Sequence, residues 1–171
     1  MENNIFKVDF SYSYFIGFLK LNENIKKIID TLDKEENNVI TSYNKNNESL
    51  QVEFIKHGKD WLNDFIFKTT NYKNFKLTSI WMQKYKENYF HNIHIHGVEK
   101  TKYSFIWYID VDDSSAPTYF YNIMYPYIDL QTYGEKPING KFILFPSYIP
   151  HEVRPGKNNI RTIISGNLEL S

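Results

Sequence analysis

The chain has 171 residues and no cysteine, which excludes disulfides, thiolate nucleophiles, iron–sulfur clusters and cysteine-ligated zinc and leaves imidazole and oxygen to hold any metal. Lys+Arg 20 and Asp+Glu 20 cancel, so there is no global charge attraction for nucleic acid or an anionic membrane. Aromatic residues make up 18% of the chain and alanine occurs once, at Ala116, a composition that suits strands packed face to face and excludes an alanine-rich helical bundle.

Rings and polar residues alternate through Phe6, Val8, Phe10, Tyr12 and Tyr14, and this period of two predicts a strand within residues 3–21. Asn22 is placed as a helix cap, with Ile25, Ile28, Ile29 and Leu32 at helical spacing behind it. Residues 34–47 are polar and read as a loop, and Trp61, Leu62, Phe65 and Ile66 predict a second helix within 58–68. From Lys76 onward, residues 77–85, 92–96, 103–111, 118–121, 140–145 and 159–170 read as strands punctuated by Pro, Gly, Asp and Asn. The longest connection spans 121–139, and a loop of that length is expected over a site; Tyr119, Tyr121, Tyr125, Tyr127 and Tyr133 are expected to overhang its mouth. No apolar run approaches the ~18 residues that cross a bilayer, and the N-terminus lacks the pattern of a signal peptide. The expectation is a cytoplasmic, mainly β (α+β) protein, a single domain over 1–171 with an N-terminal strand and helices over 1–75.

The histidines carry the chemistry. On a strand, His94 and His96 share one face, Ile93 and Ile95 project the other way into a core, and His91 has the opposite parity unless the chain bends at Asn92. Two adjacent imidazoles repel when both are protonated, and a metal ion taking a neutral nitrogen from each resolves this; a pair of polar side chains on a solvated face is the equal alternative. A second segment, 140–151, reads as a buried strand running into a turn that Pro146 and Pro150 stiffen, presenting His151. Arg161 follows ten residues later on an apolar strand, where a guanidinium needs an anion, either an internal carboxylate or that of a ligand. Strand parity puts Arg161, Ile163, Ser165 and Asn167 on one face.

The order His94-x-His96, two strands, a long loop, Phe145-Pro-Ser-Tyr-Ile-Pro-His151, then Arg161 resembles the iron(II)/2-oxoglutarate-dependent oxygenases, specifically a small phage-type branch. The resemblance covers about residues 77–170. It implies a double-stranded β-helix over 76–171, the jelly roll of the cupins, with the two N-terminal helices packed on one sheet. It implies iron(II) as the metal, with His94 as first and His151 as distal ligand, 2-oxoglutarate as cosubstrate clamped by Arg161, and no catalytic residue beyond the metal ligands. Oxidative decarboxylation to succinate and carbon dioxide would drive hydroxylation of a prime substrate that the sequence does not name, in the host cytoplasm if the chain is phage-encoded.

Two positions depart from the pattern. His96 stands where the family has a carboxylate, so the second ligand is His96, which parity favours, or no protein group, or a carboxylate such as Glu99 or Asp112. Ile163 stands where Ser or Thr is usual, and Thr162, Ser165 or Tyr85 would supply the hydroxyl beside the cosubstrate. Competing readings are a three-histidine metal-binding cupin (a dioxygenase, isomerase or sugar-binding module) that does not use 2-oxoglutarate, a three-histidine zinc enzyme, and a non-catalytic β-sandwich.

Overall fold

A computed structural model describes residues 13–32, 39–43, 47–124, 126, 132–155 and 161–171. The elements in chain order are β1 (Phe15–Phe18), α1 (Glu23–Leu32), β2 (Val39–Thr41), α2 (Glu48–Thr70), β3 (Phe75–Tyr85), β4 (His91–His94), β5 (Lys102–Asp110), β6 (Thr118–Phe120), β7 (Tyr133–Glu135), β8 (Lys141–Pro146), β9 (His151–Val153) and β10 (Arg161–Leu170). All strand pairs are antiparallel. They form a six-stranded sheet of order β1-β8-β5-β10-β3-β2 and a four-stranded sheet of order β4-β9-β6-β7. Two sheets of this connectivity, with both helices on the larger one, make the double-stranded β-helix that the sequence implies.

Alternation along the strands of the larger sheet sorts the side chains into two cores. Phe105 and Trp107 of β5, with Phe142 and Leu144 of β8, face the helices and pack with Ile25, Phe54, Leu62 and Ile66. Ile106 and Tyr108, with Ile143 and Phe145, face the smaller sheet and pack with Phe120 and Val153. Both faces of these strands are covered, which is why they read as continuous apolar runs. Burying a large apolar side chain such as Phe54 or Leu62 contributes roughly 1.5–3 kcal/mol.

Asn22 does cap α1, its Oδ1 accepting from the Ile25 N–H at 2.8 Å. The second helix is longer than 58–68: it starts at Glu48, and its buried stripe runs Leu50, Phe54, Gly58, Leu62, Ile66. Gly58 reads in sequence as a helix boundary, but it is an interior position that faces Leu19. The helix ends on Asn71, whose left-handed φ of 64° and N–H bond to the Phe67 carbonyl form a C-terminal cap. Three short strands, β2, β7 and β9, fall where loops and a turn were expected, because runs of 3 residues are too short to show a period. Of the predicted strand within 3–21, residues 15–18 are extended, and Phe6, Val8, Phe10 and Tyr12 lie outside the described residues. Ile93 and Ile95 do not enter a core: they are 37% and 46% exposed. Ile93 lies on β4 of the smaller sheet and Ile95 just past it, whereas the helices cover the larger sheet.

Candidate metal centre

His151 opens β9, and its register partner on β4 is His94. The ladder shifts register between His91 and His94. That irregularity cancels the parity argument, and His91 lines the same cavity as His94 and His96. His96 lies just past the strand, fixed through its backbone N–H, which donates to the Ser147 carbonyl at 2.9 Å. Ring centroids are 4.3 Å apart for His94 and His151, 5.0 Å for His94 and His96, and 5.1 Å for His96 and His151. One nitrogen from each of these three rings falls within 4.8 Å of the others, a span that small side-chain rotations close around an ion with bonds of ~2.0–2.2 Å.

The tautomers favour ligation. The Nδ1–H of His94 donates to the Asn92 carbonyl at 2.7 Å, and that of His151 to the Ile149 carbonyl at 3.0 Å. Each bond leaves Nε2 as a free lone pair. Burial holds all the imidazoles in the neutral form that metals bind. It pushes His91 and His96 down to about 4, helped by the neighbouring His94 ring, and His151 well below its usual value. His94 is lowered by burial too, against the opposing pull of the Asn92 carbonyl.

Among the described residues no carboxylate joins the cluster. Glu99 binds the Lys102 ammonium at 2.5 Å and the Val98 N–H at 3.1 Å. Asp112 accepts from Ser114 and Ser115 in its own turn. The two acids weighed as substitutes for the missing ligand are thus engaged elsewhere.

A narrow cavity of about 30 Å³ reaches from the imidazoles to Arg161, passing Tyr85, Thr118 and Ser165. Arg161 is 1% exposed. Its Nη1 donates to the Ala116 carbonyl at 2.7 Å, and its guanidinium lies 4.4 Å above the Tyr85 ring. Nε and Nη2 are buried with no hydrogen-bond partner among the described residues, and no acidic side chain there pairs with Arg161. Two unpaired donors on a buried cation are costly and are explained when an anion completes them. Burial raises the Tyr85 phenol above its ordinary range, and the Arg161 charge opposes this. Thr162, the other hydroxyl considered, lines a separate pocket with Leu21 and Lys26.

On the other side of the imidazoles a wider chamber of about 370 Å³ is walled by Tyr43, Trp81, Gln83 and Tyr89 with His91. Three of the tyrosines expected to overhang the site do not line it. Tyr119 lies beneath the Arg154 guanidinium, 4.0 Å from its ring centroid, and Tyr121 donates to Glu152. Tyr133 is 49% exposed, and Tyr125 and Tyr127 lie outside the described residues. Sequence reasoning missed Tyr43, Trp81, Gln83, Tyr89 and the role of His91 as a lining residue. The one available signal was the bend at Asn92.

No protein-family model matches the sequence, and no curated protein is significantly similar to it. Solved structures are similar in fold. An oxidoreductase of the 2OG-Fe(II) oxygenase family from Burkholderia pseudomallei superposes with a TM-score of 0.65 at 12% identity, over 85% of this chain and 77% of that one. The fold is that of the 2OG-Fe(II) oxygenases. The viral collagen prolyl hydroxylase of Paramecium Bursaria Chlorella virus-1 superposes over 100% of both chains with a TM-score of 0.62 at 12% identity. HygX from Streptomyces hygroscopicus, solved with nickel and 2-oxoglutarate bound, gives a TM-score of 0.63 at 8% identity over 92% of this chain and 83% of that one. These likenesses lend no support to the phage-type branch. No helix among the described residues is long and apolar enough to cross a membrane.

Proposed function

We propose that the chain is a non-haem iron(II)- and 2-oxoglutarate-dependent oxygenase that hydroxylates a substrate and releases succinate and carbon dioxide. The observation that carries this reading is the pair of Arg161 donors with no partner among the described residues, buried in the cavity that also holds the three imidazoles. A guanidinium with two free donor nitrogens, Nε and Nη2, fits a carboxylate. His94, His96 and His151 would hold the iron through neutral nitrogens. Three neutral ligands leave both positive charges of a divalent ion to be balanced by an anion, which a dicarboxylate cosubstrate supplies. When bound, the metal and cosubstrate supply oxidising power for C–H cleavage.

The chain's own contribution is orientation and exclusion of water. The Asn92 and Ile149 carbonyls fix the tautomers of His94 and His151. Arg161 would grip the far carboxylate, and Tyr85 and Ser165 line the path between it and the imidazoles. A cavity of about 30 Å³ has room for about one water, so entry of a five-carbon dianion is coupled to outward movement of its lining side chains. A second reading, a three-histidine metal-binding cupin, is favoured by His96 standing in place of a carboxylate. Arg161 separates the two.

The test is anaerobic titration of 2-oxoglutarate into the iron(II) protein, followed by the visible charge-transfer band. Wild type is expected to saturate. Arg161→Lys keeps the charge but loses the planar fork, and should bind about ten- to a hundredfold more weakly. Iron content should stay near wild type. No saturable band, or an Arg161→Ala variant that titrates like wild type, returns the chain to the cupin reading.

A further inference from the structure

The 370 Å³ chamber falls within the size range of small-molecule sites and shares the His91, His94 and His96 rings with the inner cavity. We propose that it is the prime-substrate site, and that it takes an uncharged ring carrying a carboxamide-type edge, read by the Gln83 amide. This rests on the oxygenase reading, which makes the imidazoles the reacting end of the chamber.

Three observations carry the substrate class. First, the described lining residues include no Asp, Glu, Lys or Arg, so a charged substrate would leave water with no counter-charge among them to meet it. Second, the walls offer flat faces. Trp81 is buried, and Tyr43 packs edge-on against it at 5.0 Å. Tyr89, held at 5.6 Å from Tyr85, completes an aromatic lining suited to stacking on a ring. Third, Gln83 is 6% exposed and lines both cavities, yet its side chain makes no hydrogen bond among the described residues. Its backbone is fixed in register with Ile163 on one side and Thr41 on the other. An amide that lines the chamber offers it one acceptor and two donors, and the group that satisfies both kinds is another amide edge.

The experiment uses the full chain treated with chelator, so that no metal contact contributes, with nicotinamide and nicotinate as probes. They share one ring and differ in a neutral carboxamide against a carboxylate. Ligand-observed NMR titration is expected to show saturable nicotinamide binding, with nicotinate at least tenfold weaker. Gln83→Leu should weaken nicotinamide about three- to tenfold. Tyr89→Ala, at a half-buried position that tolerates truncation, should weaken both probes. Quenching of Trp81 fluorescence should saturate at the same concentration and vanish in Trp81→Phe. Equal binding of the two probes, absence of saturable nicotinamide binding, or nicotinamide affinity unchanged in both Gln83→Leu and Tyr89→Ala overturns the proposal. Nickel(II) titration of the same preparation runs separately. Nicotinamide binding without metal binding overturns the oxygenase reading alone, and metal binding without nicotinamide binding overturns the substrate assignment alone.

Discussion

His94 and His151 each donate Nδ1–H to a carbonyl two residues earlier, whereas the His96 ring has no such tie among the described residues and is held through its backbone bond to Ser147. Ser147 is itself anchored: its hydroxyl meets that of Ser104 at 2.8 Å, Ser104 donates to Asn167, and Asn167 donates to Ser79. A polar chain across β3, β10 and β5, buried at its Ser104–Ser147 end, therefore ends on the segment that sets the third imidazole. If His96 is a ligand, His96→Ala should lower iron occupancy as severely as His94→Ala, by at least the tenfold that loss of an outer partner costs. His96→Asp, which supplies the family's usual carboxylate, should retain the ion. Iron content in His96→Ala equal to wild type, measured by metal analysis after anaerobic loading, would remove His96 from the site.

At the scale of elements, β10 lies at the heart of the larger sheet, pairing with β3 on one side and β5 on the other. It carries Arg161 and Ser165 into the inner cavity and sends Ile164 and Leu168 to the helices. Gly166 is where the neighbouring strands close in: a Cβ there would sit 2.6 Å from the Phe105 ring and 2.6 Å from the Ser79 carbonyl. Neither a buried ring nor a strand backbone gives way easily. Gly166→Ala should therefore cost about 1–3 kcal/mol, the range for overpacking a tight core, read as a lowered denaturation midpoint. An unchanged midpoint would mean that β10 is less closely packed than this geometry states. The edge of the smaller sheet behaves differently, because Ile93 of β4 and Ile95 just past it are exposed while His91 and His94 of the same strand line the inner cavity.

For the molecule as a whole, the buried neutral histidines tie stability to pH. In the folded chain His91 and His96 titrate at about 4, against 6.5 when unfolded, and His151 lies well below its unfolded value. Below pH 6.5 the unfolded chain then binds more protons than the folded one, so stability falls with pH. The metal-free protein should show a denaturation midpoint that is nearly flat from pH 8 to about 6.5 and declines from there to about 4. A divalent ion bound to the same imidazoles should raise the midpoint most at the upper end of that range, where protons compete least. A midpoint constant between pH 6.5 and 4.5 in chelator-treated protein would contradict the burial of these rings.

Much of this was legible in the chain itself. The apolar strand runs of 103–111 and 159–170, the Asn22 cap, the His94-x-His96 pair, the proline-bounded His151 and Arg161 on its apolar strand are local patterns, and local sterics and hydrogen bonding decide them. The order of those segments pointed to the double-stranded β-helix with helices on one sheet. Short strands such as β2 and β9 were not legible, since their ladders come from partners distant in sequence. The register shift that brings His91 beside His94 is likewise a property of the β4–β9 pair. Gln83, Trp81, Tyr43 and Tyr89 share one chamber only because β2 closes on β3. A residue's type and spacing state what chemistry it can do; which cavity it faces, and whether its donors find partners there, is decided when the sheets pack, because burial and pairing belong to the assembled fold.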